Sequence, residues 1–210
     1  SNIGKNQVIF NNTRFSDLYS TSENSKYMAF VTNNNFFIEN CNFNKCYFST
    51  SMIYHQSTQH NLSMHSNTIV NCYDPSNTIF SSNIIKSNSH YADIQNNLVN
   101  FVDIKHSCRA FDFEKSTNTI LKHNIVKNAN TGTFSGSGVN FHTAGSGLPL
   151  QITDCSFLNC SGYKGSTFSM SQLNYSFTIL RTSFENCKNS KKFGSFFLIN
   201  YQDDFKQATI

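Results

Sequence analysis

Twelve of the 210 residues are acidic, so any cluster of them stands out. The densest set is Asp93, Asp103, Asp112 and Glu114, close in sequence to His106 and Arg109. Converging carboxylates beside an imidazole could act as general acid and base on a glycosidic bond, or ligate calcium. If the chain is an enzyme, Asp103, Asp112, Glu114, Arg109 and His106 would carry that chemistry. The plainer and favoured reading rests on the run Ala110-Phe111-Asp112-Phe113-Glu114, where acids alternate with apolar residues as outward positions of a strand do. Glu39 and His65 form a second candidate pair, and a surface contact is the expectation for them. The remaining histidines, His55, His60, His90, His123 and His142, share no recurring position that would make a metal site. Asp203-Asp204 are adjacent acids to which no role is assigned, and no Gly-rich phosphate loop or nucleophile elbow is present. The sequence therefore predicts no cofactor and no metal.

Seven cysteines are an odd number, so at least one thiol is free or pairs outside the chain. Cys46, Cys72, Cys160 and Cys187 share one repeat position, and Cys41 and Cys155 share another. Recurrence of this kind suits small buried hydrophobes stacked in a ladder. Disulfides between neighbours such as Cys46 and Cys72, or Cys160 and Cys187, are within reach of the backbone, although straight stacking gives a poor torsion. A reduced ladder is the favoured alternative. The Cys-x4-Cys pairs lack the second pair and the histidines of a zinc site.

Those recurring positions come from a repeat of roughly 28 residues along the whole chain. Its central apolar residues are Phe15, Phe43, Ile69, Val99, Val126, Phe157 and Phe184, spaced by 28, 26, 30, 27, 31 and 27 residues. Five places earlier stand Phe10, Ile38, Met64, Ile94, Leu121, Ile152 and Ile179; three places later stand Leu18, Cys46, Cys72, Val102, Ala129, Cys160 and Cys187. The intervening position four places before the anchor is mostly polar, which is strand periodicity and not helical periodicity. A second apolar segment follows each anchor: Ala29-Phe30-Val31, Met52-Ile53, Ile79-Phe80, Ala110-Phe111, Gly138-Val139, Thr167-Phe168 and Phe196-Phe197. The predicted fold is all-β, a right-handed parallel β-helix of about seven coils forming one domain over residues 1–210. Its predicted core columns are Ile38, Phe43, Cys46, Met64, Ile69, Cys72, Ile152, Phe157, Cys160, Ile179, Phe184 and Cys187. In such a solenoid each residue lies about 4.8 Å above its equivalent, so like stacks on like. Asn, with 30 residues, recurs two places after the anchor as Asn71, Asn128, Asn159 and Asn186, where turns need left-handed backbone. Asn83–Asn88 reads as a half-repeat or widened turn, and the Gly-rich stretch 131–147 as a looser excursion.

Charged residues make up only 13% of the chain and the net charge is +4, which excludes a charge-rich disordered tail. Lys188, Lys191 and Lys192 read as a solvated loop, so no nucleic-acid partner is expected. No apolar run approaches the length of a membrane span. The chain starts at Ser1 without a recognisable leader or end caps, and is expected to be an internal block of a longer solenoid that contacts further coils at both ends.

Laid out this way, the chain resembles the right-handed parallel β-helix, or pectin-lyase-like, superfamily. Within it, the repeat is similar to the polymorphic-membrane-protein-like repeats of chlamydial autotransporters and protozoan surface proteins. Phe43-Asn44-Lys45-Cys46 and Phe184-Glu185-Asn186-Cys187 approach their Phe-x-x-Asn motif, with Asn displaced by two places and by one. Gly165-Ser166-Thr167-Phe168 and Gly194-Ser195-Phe196-Phe197 approach their Gly-Gly-Ala-Ile motif. The Asn-Thr-Asp, Gly-His-Gly and Arg-x-Lys signatures of the polygalacturonases and pectate lyases are missing. The resemblance implies a non-catalytic structural and adhesion segment of a large secreted or cell-surface protein, with a protein or glycan on a host or neighbouring surface as partner. Binding would use outward polar faces and loops around 73–91 and 131–147. Asn11, Asn61 and Asn174 head possible N-glycosylation motifs. The alternatives are a carbohydrate-active enzyme working at coil four, and an intracellular architectural protein with reduced thiols.

Overall fold

A polar corner every few residues leaves each apolar run too short to pair with itself, so the strands must pair with their equivalents one repeat away. The computed structural model describes residues 7–19, 27–31, 34–74, 82–102, 108–114, 116, 118–132, 136–142, 150–163, 167–173, 177–189, 197–201 and 208–209. Within them the chain forms parallel sheets of eight, seven and seven strands and a two-stranded one, with no helix among the described residues. One coil supplies a strand to each large sheet, as Asn35–Glu39, Asn42–Asn44 and Ser51–His55 do in coil two. The chain is an all-β parallel solenoid.

Register follows the repeat. In the first sheet Phe10, Ile38, Met64, Ile94, Leu121, Ile152 and Ile179 stand directly above one another. In the second, Phe15, Phe43, Ile69, Val99, Val126, Phe157 and Phe184 do the same. Ile38, Phe43, Met64, Ile69, Val99, Ile152 and Phe157 are buried, and Phe184 and Cys187 pack half-buried against them. The third sheet contributes the column Ile53, Ile85, Phe111, Val139 and Phe168, whose last ring meets Phe157 at 5.0 Å. Each fully buried Phe or Ile is worth about 1.5–3 kcal/mol of transfer free energy. Gly138 belongs to this packing: a Cβ there would lie 2.7 Å from Phe157 Cδ1.

Two corners per coil adopt left-handed backbone. The first lies three residues before each anchor, at Asn12, Asn40, Ser66, Asn96, His123, Asp154 and Arg181, with φ between 45° and 57°. The second lies two residues after it, at Asp17, Lys45, Asn71, Asn128, Asn159 and Asn186. A Cβ in this region costs about 1–2 kcal/mol, least for Asn and Asp. The conformation keeps the corner amides in the ladder, since Asn40 N–H donates to His65 O at 3.0 Å and Asn96 N–H to Lys122 O at 3.0 Å. Asn128 Nδ2 donates to Asn100 Oδ1, and Asn159 Nδ2 to Asn128 Oδ1.

A stronger ladder runs inside. Asn67, Asn97 and Asn124, two residues before their anchors, are almost fully buried. The Oδ1 of each accepts the backbone N–H of the preceding coil, giving Cys41 N to Asn67 at 2.8 Å, Asn67 N to Asn97 at 3.0 Å and Asn97 N to Asn124 at 3.1 Å. The Nδ2 groups donate to Ile38 O, Met64 O and Ile94 O of that same preceding coil.

Three sequence expectations are corrected. Residues 83–88 are no insertion, because Asn83–Ser87 is the third-sheet strand of its coil, paired with Ser51–His55 and Arg109–Phe113. The residues expected to fill that place, Ile79-Phe80, lie outside the described residues. Val102 does not join the buried column, being 40% exposed while Phe101 is buried. Phe101 occupies the corner place two residues after the anchor, and without left-handed backbone there its ring turns inward. The Gly-rich stretch contains the regular strand Val139–His142; residues 133–135 and 143–149 lie outside the described residues.

Replacing Asn97 by Ala strands the buried amide of Asn67 and several carbonyl partners. It should cost about 3 kcal/mol, against about 1 kcal/mol for Asn186→Ala at an exposed corner, read from urea midpoints.

Candidate functional site

The coil-four acids do not converge into an open cleft among the described residues. Asp112 is buried on the strand Arg109–Phe113, where its Oδ1 accepts from Asn140 Nδ2 at 2.6 Å and its Oδ2 lies 3.8 Å from Arg109 Nη1. Burial pushes the Arg109 guanidinium down and Asp112 opposes that shift. Glu114, partly exposed, pairs with Lys86 Nζ at 3.2 Å, and Lys86 also lies 5.6 Å from the centre of the Tyr54 ring. The Asp112–Asn140 and Glu114–Lys86 contacts each join one coil to the next and stitch the third sheet, while Arg109–Asp112 lies within one strand. Asp103 and His106 lie outside the described residues, as does Asn174. Asn11 and Asn61 are exposed on first-sheet strands.

The arrangement with most chemical capacity lies instead on the outer face of the first sheet. Successive coils pair Glu39 with His65 and Gln95, and Phe37 with Ser63 and Asp93. The His65 Nε2 sits 3.2 Å from Asp93 Oδ2 and 3.3 Å from Ser63 Oγ, with Nδ1 4.0 Å from Glu39 Oε1. Gln95 Nε2 donates to Asp93 Oδ1 at 2.6 Å. An imidazole between two carboxylates can relay a proton, but Ser63 and Asp93 crowd the same ring nitrogen. That is not the geometry of an activated nucleophile, in which base and orienting acid use opposite nitrogens. The sequence pairs Glu39 with His65 by column. Ser63 was missed, and Asp93 was grouped with the coil-four acids, because both enter two residues earlier on their strands, where period-two alternation returns them to the same face. No group of three or more potential metal ligands occurs among the described residues.

A second imidazole is sealed inside. His55 is fully buried, with Nδ1 2.8 Å from Ser89 Oγ and Nε2 2.9 Å from Asn34 O. Ser89 in turn contacts Ser87 Oγ. Burial holds the His55 pKa below its ordinary value of 6.5, nearby His60 adds to this, and the Asn34 carbonyl opposes it.

All seven cysteines are free thiols. Most donate to the carbonyl two residues back, as Cys41 does to Glu39 O at 3.3 Å and Cys72 to Val70 O at 3.4 Å. Burial raises Cys155 to about 11 and pushes Cys108 well up, so these thiols are inert hydrophobes. Two cysteines go the other way: Cys187, half-buried beside Cys160, is lowered to about 6 by the Cys160 thiol it faces, and Cys46 is lowered by the Cys72 thiol.

Compared with protein-family models, with curated proteins and with solved structures, the chain matches none of them. The likeness to pectin-lyase-like and membrane-protein-like repeats is carried by the solenoid alone.

Two expectations follow for this region. Asp112→Ala removes a carboxylate that faces a buried guanidinium and should lower stability by about 3 kcal/mol, with Asp112→Asn costing markedly less in guanidinium titrations. Above pH 6.5 His55 is neutral in both folded and unfolded chains and adds no pH dependence. As pH falls below that value the unfolded chain takes a proton that the folded chain refuses, so stability declines towards the lowered folded pKa. Urea midpoints between about pH 7.5 and pH 5 should fall for the native sequence and fall less for His55→Gln.

Proposed function

We propose that the chain is a non-catalytic structural and adhesion segment of a large secreted or cell-surface protein, related in kind to the polymorphic-membrane-protein-like repeats. The observation that carries this reading is the unbroken register from Phe10 to Ile179, with Asp93, Asp112 and Glu114 of coil four each bonded to a neighbouring coil. Seven coils make a stiff rod on the order of 35 Å long that holds its outward faces at fixed spacing. Such a rod suits a spacer that displays a binding surface to a protein or glycan. The exposed Asn11 and Asn61 are then candidates for glycosylation.

A second reading, a carbohydrate-active enzyme, is favoured by the Glu39–His65–Asp93 cluster and not by the coil-four set. A panel of neutral and acidic polysaccharides separates the two: the purified chain should release no reducing ends and no unsaturated uronates. Product that disappears in His65→Ala would replace the structural reading with the enzymatic one. A third reading, an intracellular architectural protein, is favoured by the seven free thiols. Thiol titration of denatured, unreduced protein from its native source decides it, since native disulfides would exclude that compartment.

A further inference from the structure

Two cysteine pairs stand in register on neighbouring coils, and they differ in what can reach them. Cys46, Cys72 and Cys160 are each 0% exposed, whereas Cys187 is half-buried. Around the second pair the ladder is continuous: Asn159 N–H donates to Glu185 O at 2.8 Å on one side, and Lys188 N–H donates to Cys160 O at 2.9 Å on the other. The Cα atoms of Cys160 and Cys187 therefore stand one strand spacing, about 4.8 Å, apart, inside the span that a disulfide bridges. The Cys187 thiol already reaches across the gap, donating to Phe157 O of coil six at 3.3 Å as well as to Glu185 O of its own coil at 3.5 Å. Glu185, Asn186 and Lys188 around it are exposed, so a small molecule can approach Cys187 from outside.

We propose that Cys187 is a site of oxidative modification, at which a hydroperoxide converts the Cys160–Cys187 pair into a disulfide that ties coil seven to coil six. The Cys187 thiolate attacks one peroxide oxygen and the O–O bond breaks. Cys187 becomes a sulfenic acid, and the departing hydroxide takes up the thiol proton as water. Cys160 then attacks the sulfenic sulfur while its own proton passes to the leaving hydroxyl. The S–S bond forms, the S–O bond breaks and a second water departs. The two thiols lose two electrons, and the peroxide takes both. The pair itself sets the order of events. Cys187 supplies the thiolate, being lowered to about 6 by Cys160, while Cys160 is kept protonated first by that same Cys187 sulfur and then by burial. Forming the sulfenic acid removes the first of these causes and frees Cys160 to attack. Cys46 and Cys72 are an internal control. Cys46 is lowered by Cys72 in the same fashion, but both are sealed, so thiolate character without access leaves them reduced. A half-buried thiol also has room to turn about its Cα–Cβ bond towards the torsion of about 90° that straight stacking lacks, and a close-packed pair does not.

The test exposes the folded, reduced chain to hydrogen peroxide, blocks the remaining thiols after denaturation and maps peptides without reduction. One link within the chain, Cys160 to Cys187, is expected, reversed by dithiothreitol, with Cys46 and Cys72 still open to alkylation. Before oxidation, iodoacetamide at about pH 7 should modify Cys187 in the folded chain more than about tenfold faster than any other cysteine. Cys160→Ala is a mild substitution, since Ala129 fills the same column in coil five. In that variant Cys187 should stop at a sulfenic acid that dimedone traps, and the pH at which its alkylation sets in should move upward. Oxidation should raise the urea midpoint of the native sequence and leave that of Cys160→Ala unchanged. Four results would each overturn the proposal: a sulfinic acid at Cys187 with no link in the native sequence, a Cys46–Cys72 link formed as readily, a disulfide that only joins two chains, or alkylation of Cys187 no faster than that of the sealed thiols.

Discussion

Everything in this molecule depends on one requirement, that each backbone amide find its partner in the next coil and not in its own. A short strand within a coil has no sequential neighbour to pair with, so the hydrogen-bond ladder runs the length of the solenoid and fixes the register of every side chain. Once register is fixed, a residue is judged by its column. A polar side chain in an inward column must bond along the axis, as Asn67, Asn97 and Asn124 do, and an apolar one must match the volume above and below it. The corners follow from the same requirement. Turning the chain without dropping an amide from the ladder takes left-handed backbone, and the sequence accepts its cost twice in nearly every coil.

That logic explains which parts were legible beforehand. Counting from Phe43 to Ile69 to Val99 recovers the pairings of the second sheet because a one-residue slip would turn every side chain over. The corner after the anchor was readable from Asn71, Asn128, Asn159 and Asn186, since Asn advertises left-handed backbone. The corner before it was hidden, because His123, Asp154 and Arg181 adopt the same φ without that advertisement. The third sheet was the least legible. The connection leading to it varies in length, so Ile84-Ile85 was passed over in favour of Ile79-Phe80, although Ile85 lies squarely between Ile53 and Phe111. Phe101 shows the limit of column counting in another way. A large apolar ring at a corner outweighs the left-handed preference, and Val102 is carried outward as a result.

Charged sites follow the same rule with less warning in the sequence. Proximity along the chain suggested Asp103, His106, Arg109, Asp112 and Glu114 as one group, but in a solenoid proximity means one coil apart. Lys86 and Glu114, 28 residues distant, touch, and Asp112 meets Asn140 across the same interval. Glu39, His65 and Asp93 form a cluster for the same reason, each supplied by a different coil. Any chemistry on this fold has to be sought down columns.

The interior Asn run also shows how such a rod tolerates variation along its length. The column reads Thr13, Cys41, Asn67, Asn97, Asn124, Cys155 and Thr182, and each Asn serves the coil before it more than its own. Cys41 closes the run on one side: its amide is taken by Asn67 Oδ1, and its own thiol turns to Glu39 O of the same coil instead of the coil before. Beyond the other end Thr182 Oγ1 accepts from Cys155 N at a longer 3.4 Å, a weaker form of the same bond. The amide ladder is therefore strongest in coils three to five, where the Asn residues are continuous. Those coils also hold Ser63, His65, Asp93 and Gln95, so the polar cluster of the outer face is mounted on the most firmly bonded part of the rod.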